Sequence, residues 1–110
     1  MHEVGIIQEL IAQAAAAAGQ RLIRQVHIVR GLLGDVSRES LEFYFDQLRM
    51  GTPLAGASLV IRDEAGRTSC AGCGREAETA EQPEACPACG SLRLQAVAGH
   101  GLRLEAIDVE

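Results

Sequence analysis

Two groups of residues in this chain could each hold a metal ion. The first is the start, Met1-His2-Glu3, where an α-amine, a backbone amide and an imidazole fall on adjacent residues and close small chelate rings on one ion. Nitrogen donors set this way suit nickel or copper in tetragonal geometry. The amide must lose its proton to bind, so affinity rises with pH. Glu3, through its carboxylate or its amide, can complete the shell. The second group is a pair of Cys-Xaa-Xaa-Cys-Gly knuckles, Cys70 to Gly74 and Cys86 to Gly90. Two residues between paired cysteines let both sulfurs face one ion at about 2.3 Å. The glycine that follows tolerates the left-handed turn that aims backbone N–H groups at sulfur. Two metal sites of different chemistry in 110 residues fit a protein that carries metal better than one that turns over a substrate.

Each group also has a plainer reading. A histidine at position two is often an ordinary solvated end, because termini fray. The four cysteines could instead form a thioredoxin-type redox pair, two disulfides or a rubredoxin-like iron centre. A redox pair needs only one motif, placed at a helix start after a strand, and neither condition holds here. The twelve residues between the pairs, 74–85, are slightly fewer than in a typical ribbon loop. Structural zinc at Cys70, Cys73, Cys86 and Cys89 fits best, but the residues alone do not separate zinc from iron. His27, inside a predicted strand, reads as packed or hydrogen-bonded. His100, between Gly99 and Gly101, reads as an exposed loop residue or as an extra nickel ligand.

Composition narrows the class further. The chain has room for one domain with a small appendage, and although it is 47% hydrophobic, much of that is alanine, so its large-side-chain core is modest. A lobe of that kind benefits from a metal staple. A formal charge of -5, made more negative by four thiolates around a divalent ion, disfavours binding to phosphate backbones. Aromatic residues, at 3%, are too few for a base-stacking platform. No stretch reaches membrane-spanning length and the N-terminus lacks the features of a secretory signal. A cytoplasmic location follows as the expectation, and in a reducing cytosol paired cysteines are metal ligands more often than disulfides. No nucleophile motif or glycine-rich phosphate loop is present, so no enzyme activity is expected.

The elements that must position these residues are legible from periodicity. Ile7, Leu10, Ile11, Ala14 and Ala18 share one stripe of a helix over 4–18 that Gly19 stops, with Met1-His2 just ahead of it. Residues 22–30 alternate as a strand, and Gly31 and Gly34 bracket a turn. A second helix runs from a Ser37 cap to Met50 on Leu41, Tyr44, Phe45 and Leu48, and Gly51 and Pro53 end it. A second strand covers 58–63, followed by a turn at Glu64-Ala65-Gly66. From Cys70 to Gly90 there is no aromatic or large aliphatic residue, so bound metal is what can fold this stretch. Residues 76–84, with four Glu and no basic residue, read as a solvated tip, and 92–98 as a strand. The tail alternates again through Leu102 and Leu104, then changes phase near Ala106, and is most useful as the third strand of the first sheet. The expected fold is α+β. A three-stranded, mostly antiparallel sheet packs with two helices over 1–66 and 100–110, and a zinc-ribbon-like domain is inserted at 67–99.

Three features together resemble the HypA/HybF family of nickel metallochaperones for [NiFe]-hydrogenase maturation. They are the start Met1-His2-Glu3 directly before an amphipathic helix, the run 26–31 (Val-His-Ile-Val-Arg-Gly) before a second helix with 51–59 (Gly-Thr-Pro-Leu-Ala-Gly-Ala-Ser-Leu) after it, and the late knuckles followed by Gly90-Ser91. The resemblance covers essentially the whole chain. It implies a nickel domain built from the ends of the sequence, with nickel at Met1, His2 and Glu3, and an inserted zinc domain with zinc on the four cysteines. It also implies delivery of nickel to the hydrogenase large subunit together with a nickel-binding GTPase, which would supply the GTP hydrolysis. The alternative is a zinc-ribbon or rubredoxin-like interaction or electron-transfer module with no nickel role. Two departures from the family stand out. Gly99-His100-Gly101 occupies the entry to the last strand, where many members carry an acidic residue, and this is what brings His100 in as an extra ligand. The knuckles also lack the flanking histidines of some relatives, which weighs against pH-driven exchange of zinc ligands.

Overall fold

The computed structural model describes residues 2–34, 36–99 and 101–110, with His2 described by its backbone alone. The elements run α1 (His2–Ala18), β1 (Ile23–Gly31), α2 (Arg38–Leu48), β2 (Ser58–Glu64), β3 (Gly66–Cys70), β4 (Glu76–Thr79), β5 (Leu94–Ala98) and β6 (Leu102–Val109). Two three-stranded sheets result, in the orders β2-β1-β6 and β4-β3-β5. The chain forms two compact units. One comprises Met1–Val29, Val36–Arg62 and Leu102–Glu110, the other Arg30–Asp35 and Asp63–Gly101.

In the first unit β1 lies at the centre of its sheet and β6, the last strand in sequence, pairs beside it, so the tail is the third strand. Ile7, Leu10, Ile11, Ala14 and Ala18 of α1 are all buried, as the helical stripe requires. They join Val26 and Ile28 of β1, Leu41 and Phe45 of α2, and Leu54 in one core. Each of the larger apolar side chains among them, fully removed from water, contributes about 1.5–3 kcal/mol before chain entropy is charged against it. Helix α1 ends where Gly19 and Gln20 take positive φ values of 58° and 74°. Ser37 caps α2, its hydroxyl accepting the Ser40 N–H at 3.1 Å.

One boundary moves. The apolar stripe opens the first helix at Val4, whereas α1 already includes His2 and Glu3. The stripe marks only residues that face the core. Polar residues extend a helix beyond it at little cost, and an acidic Glu3 in the first turn suits the positive end of the helix dipole.

Along β6, Leu102, Leu104, Ile107 and Val109 are half-buried while Glu105 and Ala106 are both exposed, so the alternation slips at that pair as the sequence suggests. Ion pairs tie the strands on the exposed side. His27 of β1 donates from Nε2 to Asp108 Oδ2 at 2.9 Å, in line with its reading as a hydrogen-bonded strand residue. Arg62 of β2 donates to Glu105 Oε2 at 2.5 Å. That bond holds the Glu105 carboxyl below its ordinary 4.5. A carboxylate with a depressed folded value stabilises the fold at neutral pH and loses that contribution as the pH falls through it. Glu105→Gln should therefore flatten the acid limb of a urea-unfolding pH profile below about pH 4.5 while leaving pH 7 nearly unchanged, because exposed pairs contribute little.

The second unit is an antiparallel sheet. Its β3–β4 register pairs Gly66 with Thr79 and Ser69 with Glu76, and its β3–β5 register pairs Cys70 with Leu94. A bulge falls between Arg67 and Thr68, opposite the extra residue Val97. The segment after β1 is held to this unit through Leu33 N–H to Gly99 O at 2.9 Å, Leu32 N–H to Glu64 O at 3.0 Å and Arg30 Nε to Asp63 at 2.9 Å. Gly99 has φ 75°, and a Cβ there would press on the backbone of Ala65 and Gly66. Two expectations are corrected here. Gly66 opens β3 rather than closing a turn, and the acidic tip begins as strand β4 before Thr79 and Glu81 turn the chain. Neither stretch carries apolar alternation, so cross-strand backbone pairing, not side-chain pattern, makes them strands. Among the described residues no helix is long and apolar enough to cross a membrane.

Candidate metal centre

β3 ends on Cys70, and the chain at once turns through the first knuckle. The Gly74 N–H returns to Cys70 O at 2.7 Å and the Cys70 N–H reaches Arg75 O at 2.9 Å. The second knuckle repeats the same two bonds, Gly90 N–H to Cys86 O at 2.8 Å and Cys86 N–H to Ser91 O at 2.8 Å. Gly74 and Gly90 adopt φ 76° and 75°, the left-handed turn expected after each pair. The two loops are thus conformational copies, and the Ala71 N–H donates to Arg93 O at 2.9 Å across them.

The four sulfurs converge within 4.8 Å of one another. Cys70 and Cys89 stand 3.6 Å apart and Cys73 and Cys86 3.8 Å. A tetrahedron with bonds of about 2.3 Å to zinc has edges of about 3.8 Å, so these separations fit that ion. A disulfide requires about 2.05 Å, and all four cysteines are free. Cys70 and Cys86 are buried at 2% and 4% exposure, while Cys73 and Cys89 face solvent, so each knuckle contributes one inner and one outer sulfur.

Electrostatics makes the cluster a cation site. The Cys73 N–H, helped by Cys89 and Gly72, pulls the Cys70 thiol down to about 6 against the opposing effect of burial. The N–H groups of Cys89 and Ala88 likewise hold Cys86 below the ordinary thiol value. At Cys89 the Ser91 N–H pulls downward, but the neighbouring sulfurs, Cys70 foremost, and burial outweigh it and push the thiol up to about 12. Four thiolates cannot share this space without a positive charge among them, and a soft divalent cation supplies it.

Two residues that support the cluster carry no metal-ligand signature in the sequence. A Cβ on Gly72 would lie 2.9 Å from Ser91 Cβ, 3.0 Å from Ser91 Oγ and 3.4 Å from Cys89 Sγ, so the first knuckle packs on the second only without a side chain there. Ser91 answers it, accepting the Arg93 N–H on its hydroxyl at 3.1 Å. Between paired cysteines any residue type satisfies the spacing rule, which is why sequence does not single out Gly72. Gly72→Ala should accelerate loss of metal from the cysteines to a chromogenic chelator by about tenfold, the low end of what outer-shell changes cost. An unchanged release rate would show that the loops are not in contact.

The other proposed ligands are placed less fully. Met1 and His100 lie outside the described residues. The His2 backbone opens α1, and Glu3 sits half-buried in its first turn. The first N–H groups of a helix have no partner within it, so the His2 and Glu3 amides are left out of the helical ladder. His27 is bound to Asp108 within its own sheet, and the cysteine cluster includes no histidine among the described residues.

Comparison with known proteins agrees with this architecture. A family described as "Hydrogenase/urease nickel incorporation, metallochaperone, hypA" matches residues 1–109. The chain is 36% identical over 110 residues to the hydrogenase maturation factor HypA of Geobacter metallireducens and 40% identical over 114 residues to that of Azotobacter chroococcum, with all of each chain covered. Its fold is similar to the solution structure of the Ni metallochaperone HypA from Helicobacter pylori, with a TM-score of 0.71 at 21% identity over 97% of this chain and 96% of that one. A second solution structure of a HypA protein gives 0.67 at 22% identity, covering 100% and 97%. The family is one of metallochaperones, not enzymes, and with a full-length match, relatives above 30% identity and the same α+β fold, this chain belongs to the HypA family of nickel-incorporation factors in hydrogenase maturation.

Proposed function

We propose that the chain binds Ni(II) at Met1, His2 and Glu3 and delivers it, together with a partner GTPase, to the [NiFe]-hydrogenase large subunit in the cytoplasm. The reading is carried by the family match, which begins at residue 1 and so includes the Met-His-Glu start. The α-amine of Met1, the His2 amide and the His2 imidazole are the donors, with Glu3 completing the shell and His100 as a further donor. The start of α1 at His2 supports amide coordination in two ways. The amides there have no helical acceptor to give up, and the positive end of the helix favours the charge left by a departing proton.

Zn(II) on Cys70, Cys73, Cys86 and Cys89 is the structural ion, and the unit that holds it is the zinc domain. The nickel domain is the unit made from both ends of the chain. Placing the cargo at a chain end favours transfer, since a terminal site exchanges without opening a core. In cells lacking the endogenous factor, His2→Ala should fail to restore hydrogenase activity although the purified variant keeps its zinc. Full restoration would remove His2 from the delivery step.

A further inference from the structure

Helix α2 carries a second stripe that the core does not use. Leu41 and Phe45 face inward, while Glu39, Glu42, Phe43 and Asp46, at i, i+3, i+4 and i+7, are exposed along one line. Phe43 is 58% exposed and Met50, just past the end of the helix, 69%. Phe43 is one of three aromatic residues in the chain, and its ring is held edge-on to Tyr44 at 5.2 Å rather than covered. Beside the stripe runs a groove of about 690 Å³. It is lined by Glu39, Glu42, Phe43 and Asp46 of α2 and by Ala57 to Leu59 leading into β2, with Phe45 and Arg49 also on its surface.

The charges there are unbalanced. Arg49 is turned inward, donating to Ala57 O at 2.7 Å and to Asp46 Oδ1 at 2.8 Å, so one guanidinium stands against three carboxylates. Such a lining repels nucleic acid and anionic lipid headgroups, and it attracts Lys and Arg. β2 is also an edge strand of its sheet. A groove that joins an uncovered aromatic ring to a row of carboxylates fits an amphipathic cationic segment of a protein.

We infer that the α2–β2 groove docks a basic, amphipathic segment of a partner protein, its Lys or Arg side chains on Glu39, Glu42 and Asp46 and an aliphatic or aromatic side chain against Phe43. The groove is built wholly from residues of the first unit and shares none with the cysteine cluster. The inference therefore goes beyond metal carriage and does not depend on how nickel is held.

The test uses the zinc-loaded full chain and a designed helical peptide with Arg and Leu at i, i+3, i+4 and i+7, beside a control with Glu in place of Arg. Amide shifts on titration should centre on 39–50 and 57–59, with affinity falling as salt rises and no binding of the control. Phe43→Ala should weaken binding about tenfold, as loss of an apolar anchor does. Glu42→Arg, an exposed change that leaves the core untouched, should weaken it at least as much. Photo-crosslinking from position 43 in cells should then label a partner segment rich in Lys or Arg and apolar residues. Shifts centred on the acidic tip at 76–84, indifference to Phe43→Ala, or a crosslink to lipid, to nucleic acid, to an acidic segment or to a second copy of this chain would overturn the inference.

Discussion

Removing metal from the four cysteines should collapse the second unit while the first stays folded. The reason lies in where apolar surface is buried. The core cluster, from Ile7 through Leu54 and Ala57, belongs wholly to the first unit, as do the half-buried side chains packed against it. In the second unit the buried residues among those described are Gly31, Gly66, Thr68, Cys70 and Cys86. Two glycines, a threonine and two thiols bury too little apolar surface to offset the entropy of ordering the 45 residues of this unit, so the free energy of metal binding is what folds it. Amide hydrogen exchange on the chelator-treated chain should show protection lost over β3, β4 and β5 and kept over α1, α2 and β1. Cys73→Ala should behave as the chelated protein does even with zinc in excess. Protection that survived in β3 and β5 without metal would mean that backbone pairing alone holds this sheet.

The second large effect concerns the chain start. His2→Ala should lower Ni(II) affinity by more than about a hundredfold, beyond the 10–100-fold that changes to supporting residues cost, because it removes the imidazole that closes the chelate with the Met1 amine and the His2 amide. Zinc content and thermal unfolding should not move, since the change falls at the first residue of α1, and chain termini tolerate substitution. Affinity in the wild-type chain should rise with pH as the amide gives up its proton, and the variant should lose most of that dependence. A nickel site that kept its affinity in His2→Ala would have to draw its donors from elsewhere, with His100 the first to replace.

Much of this is legible in the sequence. The stripes of α1 and α2 face the core because their apolar spacing permits no other orientation, and the tail joins the first sheet because Leu102 and Leu104 need a face to bury. The convergence of the cysteines follows from the knuckle spacing together with its trailing glycines. β3 and β4 are not legible. Arg67 to Ser69 and Glu76 to Thr79 have no apolar alternation, and their pairing partners lie across the knuckles where no local pattern points. The steric role of Gly72 is equally silent, being a contact between loops about twenty positions apart in sequence, at Ser91. The outer stripe of α2 is visible as spacing, but its meaning depends on Arg49 turning inward, which only the fold decides.

Calorimetric titration of Ni(II) into the zinc-loaded chain, with its own Met1 as the free terminus and again with one glycine added ahead of it, tests nickel capture most directly. The added residue moves the α-amine away from the His2 imidazole and should abolish most of the uptake heat while zinc and fold persist. Equal affinity in the two proteins would contradict coordination by the chain terminus, and with it the route of delivery.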